Sequence, residues 1–149
     1  VGKGVALIAA SFRLLAHPAI GAVNLLNHFA PILLLRGAYQ TALSPGQADA
    51  LSLFFLEAHG VGYLIAGAFF GVHCLLLGYL LFRSPLFPKL LGTFLAVAAV
   101  GYLIESFGTF LAPRYDAIYG WIVAVPAVVA ELSLCLWLLI KGVRTSATD

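Results

Sequence analysis

Residues 90–111 read LLGTFLAVAAVGYLIESFGTFL, a run of apolar and small residues interrupted by a single charge, Glu105. About 20 such residues in an α-helix cross a hydrocarbon core of about 30 Å. A charged side chain inside a bilayer-spanning helix costs roughly 2.5–3.5 kcal/mol, so Glu105 marks a helix face that turns toward protein or water. Outward from this stretch lie three more of the same kind, at about 5–35, 51–82 and 118–140, and they carry Arg13, Glu57 and Glu131. Four spans are expected.

Composition agrees. The chain is 62% hydrophobic and 9% charged, whereas a soluble domain carries roughly 25% charged residues to cover its surface. The expected fold is an all-α polytopic transmembrane helix bundle, one domain over residues 1–149. A net charge of +2 offers nothing to nucleic acid. Cys74 and Cys135 lie among apolar residues and read as small packing groups rather than a disulfide or metal pair. No methionine occurs, position 1 included. A translation product begins with one, so Val1 is expected to continue an earlier segment.

The connections are short. Ser44-Pro45-Gly46-Gln47 has the form of a helix start, with Ser as N-cap, Pro in the first turn and Gln three residues after the cap. Ser84-Pro85-Leu86-Phe87-Pro88 and Ala112–Asp116 read as turns, and Pro18, Pro31 and Pro126 as kink points within spans. With four crossings, Lys3, Arg83, Lys89, Lys141 and Arg144 fall on one side and Arg36 and Arg114 on the other. The excess of cations places both termini in the cytoplasm.

Polar residues are patterned within the spans. Arg13, His17, Gly21, Asn24 and His28 recur at helical spacing on one face of the first span, with Asn27 beside them. Ala98, Gly101, Glu105 and Gly108 share a face of the third, and Ala124, Ala127, Glu131 and Cys135 a face of the fourth. Such small-residue seams let helices approach closely. The second span adds Gly67-Ala68-Phe69-Phe70-Gly71, extended by Cys74 and Gly78. Counted inward from the flanking cations, Arg13, His73 and Glu131 lie at one depth, and His28, Glu57, His59 and Glu105 form a second layer. The expected intramembrane cluster is therefore Arg13, Asn24, His28, Glu57, His59, His73, Glu105 and Glu131. An ion pair between Arg13 and Glu131 would join the first and fourth helices, and His28 or His59 would partner Glu105.

Catalytic signatures are missing from the sequence. It has no His-Glu-x-x-His zinc spacing, nucleophile elbow, Gly-rich phosphate loop or Cys pair. Pairing His28 with His59 and His17 with His73 across an antiparallel hairpin would be similar to the axial pairs of a di-haem bundle. The spacing is 11 on one span and 14 on the other, which disfavours it. No cofactor or metal is expected, with haem b as the alternative.

Several strings together carry a family resemblance. They are Phe12-Arg13-Leu14, Glu57-Ala58-His59-Gly60-x-Gly62-Tyr63, Phe69-Phe70-Gly71-Val72-His73-Cys74, Leu91-Gly92 and Gly101-Tyr102-Leu103-Ile104-Glu105-Ser106. The ending adds Glu131-Leu132-Ser133-Leu134-x-Leu136-Trp137-Leu138-Leu139-x-Lys141-Gly142-Val143. Over nearly all of Val5–Val143 the chain resembles the bacterial multi-helix membrane family described as domain of unknown function 4386, and matches its C-terminal four-helix part. The resemblance implies two further helices ahead of Val1, a six-helix parent, a bacterial inner membrane and no established activity. Glu57 and Glu105 fall where the family favours an acid. His59 and His73 fit its pattern, and His17 and His28 do not. The expected function is a non-catalytic accessory or structural membrane subunit, in contact with lipid and docked on a larger energy-transducing complex. The alternative is a small transporter or membrane enzyme using the intramembrane Glu and His residues.

Overall fold

The computed structural model describes residues 2–143, which form helices and turns without a strand. Four stretches are long and apolar enough to cross a membrane: Lys3–Leu34, Pro45–Arg83, Lys89–Leu111 and Pro113–Ile140. The cation Arg144 and the polar tail lie outside the described residues.

The first span consists of α1 (Lys3–Ser11), a π-helical turn (Phe12–Ala16) and α2 (His17–Leu34). Pro18 has no N–H for the carbonyl of Leu14, and its ring presses on that carbonyl. The chain answers by widening into the π turn one residue before His17. The helix runs on through Pro31. A five-residue helix, α3 (Ala38–Ala42), occupies part of the connection between the first two spans, entered through Gly37 at φ 64.

Six residues earlier than the apolar run, α4 (Pro45–Arg83) begins at the capping box. The Ser44 hydroxyl accepts from the Gln47 N–H at 3.4 Å, and Gln47 Oε1 accepts from the Ser44 N–H at 3.0 Å. At about 1.5 Å per residue its 39 residues extend well beyond a bilayer core. The turn after it is fastened by the Leu86 N–H donating to Ser84 Oγ. Then come α5 (Lys89–Leu111), a 3₁₀ turn (Pro113–Tyr115) and α6 (Asp116–Ile140), which continues through Pro126.

The helices pack in chain order. Among the described residues, α1 and α2 touch α4, α4 touches α5, and α5 touches α6, but α6 touches neither α1 nor α2. The bundle is thus an open row.

Its tightest joint is α4 against α5. A Cβ built on Gly92 would stand 2.6 Å from the Gly78 carbonyl oxygen, and one on Gly78 2.8 Å from that of Gly92. Leu81, Leu91, Leu95, Ala98, Ala99, Cys74 and Ala130 form the core around this crossing. Against α6, Gly101 lies under the Ile122 carbonyl and Gly108 under the Tyr119 ring. The buried stripe of α6 is Val123, Ala127 and Ala130, not Ala124, Ala127, Glu131 and Cys135. Ala130 is fully buried, while Glu131 and Cys135 are exposed at the edge of the joint. Burying a methyl group costs nothing where burying a carboxylate does. Large side chains such as Leu14, Leu26, Leu111 and Leu139 point outward, as lipid contact requires.

Candidate functional site: a polar seam and an open polar groove

The polar residues of the spans form two sets that overlap at His17 and His73. The first closes the seam between α1/α2 and α4. His17 Nδ1 donates to the Ala66 carbonyl at 3.2 Å, His59 Nδ1 to that of Asn24 at 3.0 Å, and His73 Nδ1 to that of Ala9 at 2.9 Å. Asn24 Nδ2 returns a bond to the His59 carbonyl at 2.8 Å, and Asn27 Nδ2 donates to Asn24 Oδ1 at 3.1 Å. A carbonyl can only accept, so each of these imidazoles carries its proton on Nδ1. Gly62 makes room for the Asn24 carboxamide, which occupies the place where a Cβ at that position would stand.

The seam revises two expectations. His17 is not level with His73, because it lies against Ala66 and the Phe70 ring while His73 reaches Ala9. His28 and His59 are indeed level, with ring centroids 4.6 Å apart, and they touch each other rather than Glu105.

The second set lines a groove that crosses the row. A cavity of about 660 Å³ is walled by His17 of α2, Glu57, Tyr63 and Phe70 of α4, Tyr102, Glu105 and Thr109 of α5, and Asp116 of α6. A second cavity, of about 300 Å³, contains Arg13, His73, Cys74 and Glu131. Phe70 lines both cavities.

Within the groove, Arg13 and Glu131 do not pair. The guanidinium lies over the Phe70 ring at 4.9 Å, an attraction of roughly 0.5–1 kcal/mol where exposed. Glu131 Oε1 accepts from the Tyr102 hydroxyl at 2.7 Å. The physical reason is the row itself: α6 packs on α5 and never meets the first span. Thr109 donates to Asp116 Oδ1 at 2.8 Å, and Asp116 lies in the first turn of α6, where the helix dipole favours an acid. Glu57 and Glu105 share the larger cavity, and among the described residues neither makes a hydrogen bond or ion pair.

Tyr63, Phe70, Tyr102, Thr109 and Asp116 were not foreseen in this groove. Tyr102 had a signal, being one turn before Glu105 on the same helix. Thr109 and Asp116 had a weaker one, facing each other across a short turn. Phe70 had none, since an aromatic residue in an apolar helix reads as lipid-facing or core.

The model of the family described as Domain of unknown function (DUF4386) matches residues 1–142. The chain belongs to this family. An uncharacterized protein of the archaeon Archaeoglobus fulgidus is 33% identical over 92 residues, which are 62% of this chain and 51% of that protein. The chain thus spans about half the length of the curated relative it matches. No solved structure matches it. Four spans and this membership make the chain a membrane protein. Of the positions that the family resemblance singled out, His59 lies in the seam, Glu57 and Glu105 line the larger cavity, and His73 belongs to the seam and also lines the smaller cavity.

Proposed function

We propose that the chain is a non-catalytic accessory or structural subunit of a larger assembly in a prokaryotic cytoplasmic membrane, with the groove as its docking face. One observation carries this reading: the groove is lined from all four spans, and the row of helices leaves it open. A carboxylate facing lipid costs roughly 2.5–3.5 kcal/mol on insertion scales, so uncovered acids demand a cover. The polar seam supports the same reading, because its histidines are spent on holding two helices together. The partners are lipid and other membrane subunits, not nucleic acid. The relative in an archaeon favours a cytoplasmic membrane without confining the family to bacteria.

The orientation in this reading has both termini in the cytoplasm, from the excess of Lys and Arg on the side of Arg83 and Lys89. Thr41→Cys should then react with an impermeant maleimide added outside intact cells. Reaction only after lysis would reverse the topology. No haem enters the reading, which is supported by the direct contact of His28 with His59.

The test of the subunit reading is purification of the full-length protein from native membranes in a mild detergent. A stoichiometric complex of fixed mass is expected. A monodisperse single polypeptide with full stability would refute it.

A second reading, a small transporter or membrane enzyme, draws on Glu57 and Glu105 as unspent acids in a cavity of about 660 Å³. Solute flux in proteoliposomes that Glu105→Gln abolishes would support it over the first.

A further inference from the structure

We infer that the chain carries a proton relay through the membrane, in which the Tyr102 hydroxyl passes a proton from the larger cavity to Glu131 in the smaller one. It goes beyond the docking reading, since proton passage is an activity. A neighbour docked on the open side would seal such a path from lipid. Two independent observations carry the relay: the depths of the two cavities, and the hydrogen bond that joins them.

The cavities occupy opposite halves of the membrane. The larger begins at Asp116, the first residue of α6, and at Thr109, two residues before the end of α5. It ends at Phe70 and Tyr102, and Tyr102 lies nine residues, or about 14 Å, from that end of α5. The smaller starts at Arg13, Phe70 and Glu131 and continues to Leu138, two residues before the end of α6. Glu131 lies nine residues, again about 14 Å, from this opposite end. Each cavity is many times the roughly 30 Å³ that one water occupies in the liquid, and each offers polar side chains to bind it.

Phe70 stands between them. The Arg13 guanidinium lies over its ring at 4.9 Å, and the Tyr102 ring meets it edge-on at 5.0 Å. An aromatic ring flanked by a cation is a barrier to a hydrated metal ion. A hydrogen bond nevertheless spans the barrier. Tyr102 lines the larger cavity and Glu131 the smaller, and the phenol donates to Glu131 Oε1 at 2.7 Å. That length is typical of a hydroxyl bonded to a carboxylate. Glu105 follows Tyr102 by one turn on the same helix, and the charges of Glu105 and Glu131 both act on the phenol.

The relay needs no co-reactant. A proton that enters the larger cavity is held by Glu105 and released through water to the Tyr102 oxygen. As that O–H bond forms, the original O–H bond of the phenol breaks and a new one forms on Glu131 Oε1. Glu105 is then a carboxylate again, Tyr102 is neutral throughout, and Glu131 is the acid. Glu131 gives its proton to water in the smaller cavity, and rotation of the phenol hydroxyl restores the starting state.

The test reconstitutes the full-length protein, with whatever accompanies it from native membranes, into liposomes holding pyranine. A potassium diffusion potential set with valinomycin drives protons inward. Expected is acidification faster than in protein-free liposomes, slowed about two-fold or more in D₂O, with ²²Na⁺ entry at background. Tyr102→Phe, which keeps the ring, and Glu131→Gln should each slow it by about 10²-fold, the scale of a positioned acid or base. Tyr79→Phe, exposed on α4 and outside both cavities, should leave the rate within about two-fold of wild type. Acidification no faster than in protein-free liposomes overturns the relay, as does a rate indifferent to D₂O or to Tyr102→Phe. Entry of ²²Na⁺ at a comparable rate overturns it too, by showing an open pore. Where Tyr102→Phe does not reconstitute, Glu131→Gln and the D₂O comparison on wild type decide. A stoichiometric complex that takes up no protons sinks the relay and leaves the docking reading standing. A single stable polypeptide that conducts through Tyr102 does the reverse.

Discussion

The seam between the first two spans and the seams among the last three solve one problem in opposite ways. Between α4 and α5, Gly78 and Gly92 bring backbone against backbone, and the joint is made of close contact. Between α1/α2 and α4, imidazoles and a carboxamide fill the gap and bond to carbonyls across it. Lipid tails are as apolar as leucine, so burial of leucine does not drive helices together inside a bilayer. What remains is dispersion at short range, or hydrogen bonds. The chain uses the first where its residues are small and the second where they are not.

The contrast predicts unequal sensitivities, greatest at the glycine crossing. Gly92→Leu would drive a side chain into the Gly78 carbonyl and the Phe82 backbone, neither of which can yield as a flexible side chain would. Overpacking typically costs 1–3 kcal/mol, and more where backbone must move, so a loss of about 3 kcal/mol or greater is expected. Unfolding by titration with a denaturing detergent measures it. A cost below that of Gly21→Leu, where no atom stands within 4 Å of a built Cβ, would erase the distinction.

Next in size is a coupled pair in the polar seam. Gly62→Ala places a methyl group where the Asn24 carboxamide lies. Alone it should cost about 1–2 kcal/mol, by displacing a side chain that is 5% exposed and breaking its bond to His59. In an Asn24→Ala background the same change should be nearly free, since the methyl group then enters vacated space. A double-mutant cycle reads the difference as coupling of at least about 0.5 kcal/mol. Equal costs in both backgrounds would mean that the carboxamide does not hold this gap.

Single imidazole bonds come below that. Interhelical hydrogen bonds in membranes average about 0.6 kcal/mol, so His73→Phe, which keeps an aromatic ring but removes the Nδ1 donor, should cost about that much. His28→Phe should cost less, because His28 touches His59 without a hydrogen bond of its own.

These magnitudes bear on what the amino-acid order makes legible. Length and hydropathy delimit the spans to within two residues at most ends, because crossing a fixed thickness of hydrocarbon sets both. The early start of α4 was visible in Ser44 and Gln47, a local signal that needs no tertiary knowledge. Depth was legible too: Arg13, His73 and Glu131, level by counting, share one cavity. Lateral neighbours were not. Helical spacing says which residues share a face, but not which helix that face meets, and a row and a closed ring give the same pattern. Hence Arg13 was assigned to Glu131 and Glu105 to the histidines, when the true neighbours were Phe70, Tyr102 and the open groove. The shift of the α6 stripe from Glu131 to Ala130 is the same difficulty on a smaller scale, a rotation of one residue that the spacing of small residues does not resolve.

The smallest expected effect is the one that separates a row from a ring most directly. In a ring, Arg13 and Glu131 would pair across the first and fourth spans, and a double-mutant cycle of Arg13→Gln with Glu131→Gln would show strong coupling, because each partner left alone is an uncompensated charge. In the row, Arg13 is held by an aromatic face and Glu131 by a hydroxyl from α5. The two changes should then add, with coupling within about 0.5 kcal/mol of zero. Two further cycles complete the argument. Arg13→Gln with Phe70→Leu should couple, since removing the ring removes what the guanidinium rests on. Glu131→Gln with Tyr102→Phe should couple by a similar, modest amount, since both carboxylate and phenol sit at the exposed edge of the α5–α6 joint. Coupling of Arg13 with Glu131 above 1 kcal/mol, and none in the other two cycles, would close the row into a ring and leave no groove for a partner to fill.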